Sequence, residues 1–237
     1  MKRLRGVYKV TTILFSAVAV GYLLLLAFPQ ALFAYSAEHG KFRVHSREPL
    51  TPEIEKVLES ADARLRTSPI YDDDVRRDIY LTNGYGMYAL LSHKAYKSFA
   101  NSVPFINNVF INKTDVAADR VYVNRPENNS RSLSGVIAHE TVHLFIRKRY
   151  GTVSATLMPT WKNEGYCEYV AGDSTITLDE GIRRWKENES DDAAYRYVKY
   201  RLMVKHLLDD EKITVDELFT RDFDEKQVAE QTFAALQ

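Results

Sequence analysis

His139-Glu140-Thr141-Val142-His143 brings two imidazoles and a carboxylate into five consecutive residues. On a helix the two histidines, four positions apart, project from one face and can grip a single ion. Glu140 would then stand beside the ion's open position, where a carboxylate can take a proton from water. Two histidines make only part of a hydrolytic metal site, because zinc in a hydrolase takes three protein ligands and leaves a fourth position exchangeable.

The residues around this stretch can build the helix it needs. Ser132 or Ser134 can cap its start, and apolar side chains recur at Leu133, Val136, Ile137, Phe145 and Ile146. Arg147, Lys148 and Arg149 suit the negative end of the helix dipole, and Gly151 can terminate it. Gly135 is the weak point in this helical reading.

A third ligand must come from a neighbouring element. Downstream lies Pro159-Thr160-Trp161-Lys162-Asn163-Glu164-Gly165-Tyr166-Cys167-Glu168-Tyr169-Val170, separated from His143 by enough chain for a turn at Gly151 and Pro159 and a returning helix. Glu164 and Glu168 share a face of that helix and both qualify as the third ligand. Glu168 is also suited to orient a histidine from behind. Cys167 has ligand chemistry too, but is read as a small buried residue on the helix's back face.

HETVH followed by Trp161, Asn163-Glu164-Gly165 and Glu168-Tyr169 resembles the gluzincin metallopeptidases, the group that includes thermolysin and the zinc aminopeptidases. The resemblance covers about residues 120 to 172. It implies Zn2+ held by His139, His143 and Glu164, with Glu140 as general base in the hydrolysis of peptide or protein substrates. It also implies an oxyanion-stabilising tyrosine on the lower lobe. Tyr195 is the nearest positional match, with Tyr197 and Tyr200 as the other candidates, although Val198 stands where the family's glycine would be.

Lys2, Arg3, Arg5 and Lys9 precede a charge-free apolar run from Val10 to Phe28, extended past Pro29 to Tyr35. A run of about 20 apolar residues can cross a bilayer. An uncleaved anchor is preferred to a signal peptide, whose apolar region is shorter and whose small-x-small cleavage site is matched here only by Ala34-Tyr35-Ser36. The expected organisation is a basic cytoplasmic terminus (1–9), a spanning segment (10–35) and an extracytoplasmic domain (36–237). The 32 basic and 32 acidic side chains balance, which gives no reason to expect nucleic acid as a partner. A single cysteine excludes an internal disulfide.

Within the domain, Lys41–His45 alternates as a first strand, and Thr51-Pro52-Glu53 opens a helix with Ile54, Val57, Leu58, Ala61 and Leu65 inward. Further strands are expected at Arg76–Leu81, Val109–Ile111 and Arg120–Asn124, with a helix over Tyr88–Phe99. The strand Val121–Asn124 suits either a peptide-binding edge or an internal position. His39, His45, His93 and His206 lack partners at metal spacing. Asp72-Asp73-Asp74 lacks the spacing of a calcium loop and reads as a solvated turn.

Beyond Gly172, helices are expected from capping boxes at Thr177 and Thr214 and from Ser190-Asp191-Asp192, the last running to Leu208. The expected fold class is α+β, and the resemblance implies a zincin-like arrangement, with a small mixed sheet over the active-site helix and a helical lower lobe. A Gly-x-Met-Glu-Asn segment, by which related aminopeptidases hold a free amino group, is not present, so an endopeptidase is expected. A catalytically silent binding protein, or an enzyme completed by a protein partner, is the alternative.

Overall fold

The protein is described by a computed structural model covering residues 2–92, 97–125, 129–189 and 192–237, with side chains from residue 8 onward. His93, Ser190 and Asp191 lie outside the described residues, as does part of the helix expected over Tyr88–Phe99.

The chain opens with α1 (Lys2–Ala27), a 3-10 turn at Pro29–Leu32, and a hairpin of β1 (Tyr35–His39) and β2 (Phe42–Ser46). Gly40 turns this hairpin at φ 58°, a left-handed conformation that favours glycine. Then follow α2 (Glu53–Leu65), β3 (Arg77–Leu81), α3 (Tyr85–Leu91), β4 (Ala100–Ser102) and β5 (Asn108–Ile111). The expected stripe of α2, Ile54 to Leu65, is buried residue for residue.

Among the described residues these strands form a five-stranded mixed sheet in the order β1-β2-β3-β5-β4. The three inner strands run parallel, and β1 and β4 are antiparallel edges. A second sheet of three antiparallel strands joins β6 (Lys113–Asp115), β7 (Arg120–Tyr122) and β8 (Ser130–Ser132). Val121 therefore lies on the central strand of the small sheet, its backbone paired on both sides, and β4 is an edge strand of the large sheet.

Period-two alternation gives the large sheet two buried faces. Ile79, Leu81, Val109 and Ile111 face the main core, where α2 and α4 (Leu133–Tyr150) pack. Tyr80 and Phe110 point the other way and meet Leu26, Phe33, Tyr88 and Leu91. The packing therefore runs across residue 36, with Leu26 and Phe33 of the N-terminal segment buried against the sheet.

The lower part is helical: α5 (Thr152–Leu157), α6 (Thr160–Ala171), α7 (Leu178–Lys186), α8 (Ala193–Lys205) with a π turn at His206–Asp210, α9 (Val215–Thr220) and α10 (Glu225–Ala235). Thr214 makes a complete capping box with Glu217. Thr177 caps Glu180 N–H, but the Glu180 side chain pairs with Arg183 instead of returning to the cap. The chain is thus mixed α+β, with helices predominating. Among the described residues one helix, Tyr8–Ala27, is long and apolar enough to cross a membrane, at a mean hydropathy of 2.2; a signal sequence meets the same test.

Candidate metal centre

Helix α4 carries His139 and His143 through the middle of the domain. Its residues are buried almost continuously from Leu133 to Arg147, on every side rather than along one stripe, because the large sheet with α2 covers one flank and α6 the other. Ser132 is the cap, accepting from Gly135 N–H at 3.1 Å. The first turn holds no acid of its own. Asp119 and Asp173 supply the negative charge from outside: Asp119 accepts from Ser134 N–H at 2.7 Å, and Asp173 accepts from the Ser132 hydroxyl at 2.9 Å. Gly135 is required by this arrangement, since a Cβ there would stand 2.6 Å from Ser132 Oγ and 2.7 Å from Asp173 Cβ.

The two imidazoles meet edge to face, ring centroids 5.0 Å apart. Helix α6 brings Glu164 against both: Oε2 lies 3.2 Å from His139 Nε2, and Oε1 lies 3.7 Å from His143 Nε2. The other ring nitrogens face different partners. His143 Nδ1 is 3.0 Å from Asn163 Oδ1, and Asn163 donates its amide to the Ala155 carbonyl at 2.9 Å, which leaves Oδ1 as the atom available to accept. His139 Nδ1 lies 2.9 Å from Glu168 Oε1, although not in line for a hydrogen bond. Both Nε2 atoms are thereby left toward the shared space.

Glu168 is fully buried behind His139. Arg131 of β8 holds it at 2.7 Å, and the Ser174 hydroxyl donates to it at 2.6 Å. Burial alone would raise its carboxyl, but Arg131 and His139 more than offset that and bring it down to about 2. Glu164 behaves alike: burial opposes ionisation, yet His143 and His139 hold it far below the usual carboxylate range. For His139 burial favours the neutral ring, while Glu164 and Glu168 together push it up to about 10. Without a metal, the centre is an imidazolium enclosed by carboxylates.

Cys167 also faces the site, contrary to its reading as a back-face residue. Its Sγ lies 3.3 Å from His143 Nδ1, because α6 turns positions 163, 164 and 167 toward α4 together. One ligand atom each from His139, His143 and Cys167 fall within 4.8 Å of one another, so this group can hold a metal ion. The thiol itself is pushed well above its ordinary value by burial and by Glu164, Glu140 and Glu168.

The cluster opens on a cavity of about 610 Å³, lined by His139, Glu140 and His143 on its floor and by Ala100 to Ser102 of β4 on one wall. Helix α8 contributes Tyr197, whose ring centroid is 6.5 Å from that of His139. The Glu164 charge, together with burial, raises the Tyr197 phenol strongly, so its hydroxyl keeps its proton. Tyr195 points away, its ring under the Arg184 guanidinium at 5.0 Å. Positions two apart on a helix point about 200° apart, so Tyr195 and Tyr197 face different sides of α8. The depth of α8 is set by glycines: a Cβ on Gly165 would lie 2.6 Å from the Tyr200 carbonyl oxygen, and one on Gly181 would lie 2.2 Å from Val198 Cγ1.

The structure thus brings His139, Glu140, His143 and Glu164 together, places Tyr197 rather than Tyr195 of the tyrosine candidates on the cavity, and adds Asn163 and Cys167. No protein-family model matches this sequence, and no curated protein matches it significantly.

Proposed function

We propose that the chain is a membrane-anchored, zinc-dependent peptide hydrolase. The observation that carries this reading is the separation of the Glu164 oxygens from the two Nε2 atoms, 3.2 and 3.7 Å. Ligands at 2.0–2.2 Å around a tetrahedral zinc stand about 3.3–3.6 Å apart, and each Nε2 lies near that distance from one oxygen of the Glu164 carboxylate. Zinc held there supplies a Lewis acid that acidifies water and polarises a carbonyl.

The residues divide the remaining work. Glu140 takes a proton from the attacking water and passes it to the leaving amine. Tyr197, rather than Tyr195, donates its retained proton in a hydrogen bond to the developing oxyanion. The open edge of β4 pairs with an extended substrate backbone, which positions a peptide without reading its side chains. With the Gly-x-Met-Glu-Asn element lacking, internal peptide bonds are the expected substrates.

A different metal reading rests on Cys167. Holding an ion through its Sγ requires a thiolate, which burial among three carboxylates opposes, and its nearest imidazole atom is the Nδ1 that faces Asn163. Glu164 instead lies against the Nε2 atoms of both histidines, which favours the Glu164 set. Elemental analysis of the full chain separates the two: Glu164→Ala should lose zinc while Cys167→Ala keeps it. Glu140→Gln should keep zinc and lose peptide hydrolysis; full activity in that variant, or zinc lost only with Cys167, defeats the proposal.

A further inference from the structure

The end of α1 is built into the domain. One face of its last turns, Tyr22, Leu25 and Leu26, packs on the sheet cluster formed by Tyr80, Tyr88, Leu91 and Phe110, and Phe33 completes the cover after the 3-10 turn. Polar groups fasten the same joint. Asn108 at the start of β5 donates to the Leu26 and Ala27 carbonyls at 2.8 and 3.3 Å, which the helix end leaves without intrahelical partners. Gln30 donates to the Tyr80 hydroxyl at 2.9 Å, and the Tyr22 hydroxyl donates to the Leu90 carbonyl at 2.6 Å.

Tyr22 stands five residues inside the end of the apolar stretch Tyr8–Ala27, about 7–8 Å along the axis at 1.5 Å per residue. That stretch, about 30 Å long, matches the hydrocarbon core of a bilayer with no length to spare. A helix that spans therefore carries α3 and the β4–β5 hairpin down to the lipid surface with it. These segments expose large apolar side chains: Leu90 of α3 is 46% exposed, Phe28 68%, and Phe105, at the hairpin tip, 72%. Phe105 is held there at φ 66°, a conformation uncommon for a bulky residue.

We infer that Phe28, Leu90 and Phe105 form a collar that seats the domain on the same bilayer its N-terminal helix crosses, and that this helix is a permanent part of the fold rather than a removable leader. Removing residues before Ser36 would strip Tyr22, Leu25, Leu26, Leu32 and Phe33 from the apolar cluster of Tyr80, Tyr88 and Phe110, leaving only Leu91, Met87, Val103 and Ile106 to cover it among the described residues. Phe105 follows Pro104, which lines the cavity, so this part of the collar adjoins the candidate site. This inference does not depend on the hydrolytic reading.

The test uses the full chain reconstituted in phosphatidylcholine vesicles whose acyl chains are brominated near the headgroup, which quenches tryptophan in contact with lipid. Trp161 and Trp185 give the background, read from wild type. Phe105→Trp and, as a second reporter, Leu90→Trp should lose their added emission relative to unbrominated lipid, while Lys226→Trp, on the 87%-exposed side chain of α10, should keep it. The intact mass of the membrane-extracted chain should include residues 22–33. Equal emission of the Phe105 and Leu90 reporters in both lipids, or a chain beginning near Ser36, overturns the inference.

Discussion

Asn163 and His143 are joined at 3.0 Å, Oδ1 to Nδ1, so the residue immediately before Glu164 fixes the ring that Glu164 faces from the other side. The Ala155 carbonyl orients the amide, and the amide in turn orients the imidazole. Partners of this kind set both the tautomer and the aim of a ligand. Asn163→Ala should therefore lower metal affinity by about 10–100-fold while the fold survives. Competition against a chelator, with circular dichroism in parallel, checks this; unchanged affinity would mean that the ring is held by packing alone.

Metal uptake should release a proton. His139 is raised to about 10 by the Glu164 and Glu168 carboxylates that outweigh its burial, so at neutral pH the metal-free ring carries a proton that an incoming ion must displace. Affinity should fall about tenfold for each unit of pH lost between about 8 and 6.5. The sign for folding follows from the same shift. A histidine whose folded value lies above its ordinary 6.5 stabilises the metal-free protein fully below that value and loses the contribution as pH rises toward about 10. Urea denaturation of metal-free protein from pH 6.5 to 8.5 should show declining stability, and His139→Asn should flatten the slope.

Tyr197 and Tyr195 should separate cleanly in kinetics. Removing a hydroxyl aimed at a developing oxyanion costs about 10²–10³ in kcat, so Tyr197→Phe should lose that much with zinc retained. Tyr195→Phe should stay near wild type, because its ring packs on Arg184. The reverse ranking in peptide-hydrolysis assays would reassign the oxyanion group.

Gly165→Ala should strike the site through the fold. Its Cβ would meet the Tyr200 carbonyl at 2.6 Å and Val204 Cγ2 at 2.8 Å, and the backbone oxygen cannot swing aside as a flexible side chain would. Forcing α6 and α8 apart should cost about 1–3 kcal/mol and move Glu164 on the same helix. A lower denaturation midpoint together with weaker metal binding is the expected result; a loss of stability alone would mean that Glu164 holds its place independently of α8.

Elements whose signals are local were legible in the sequence. The stripe of α2, the limits of α4 and the inner strands β3 and β5 are recorded in spacing, caps and β-branched runs, which act over a few residues. The β1 strand was not, because Tyr35 reads as the end of the apolar stretch and Ser36–His39 carries no β-branched or aromatic run. Nor was the neighbourhood of Val121, since whether a strand is an edge depends on which other strands reach it.

The sequence by itself determined the chemistry available: two histidines on one helix face, an adjacent carboxylate, and an acidic residue on a returning helix within reach. Only the tertiary structure decided how those groups are arranged. It put Glu164 against both Nε2 atoms and Glu168 behind His139, turned Cys167 toward His143, and set Tyr197 on the cavity beside His139. It also made the end of the apolar N-terminal helix part of the domain. The physical reason is range. Periodicity and capping are written between neighbours along the chain, whereas the depth of a helix, the facing of a ring and the cover of a sheet are set by close packing between residues far apart in sequence.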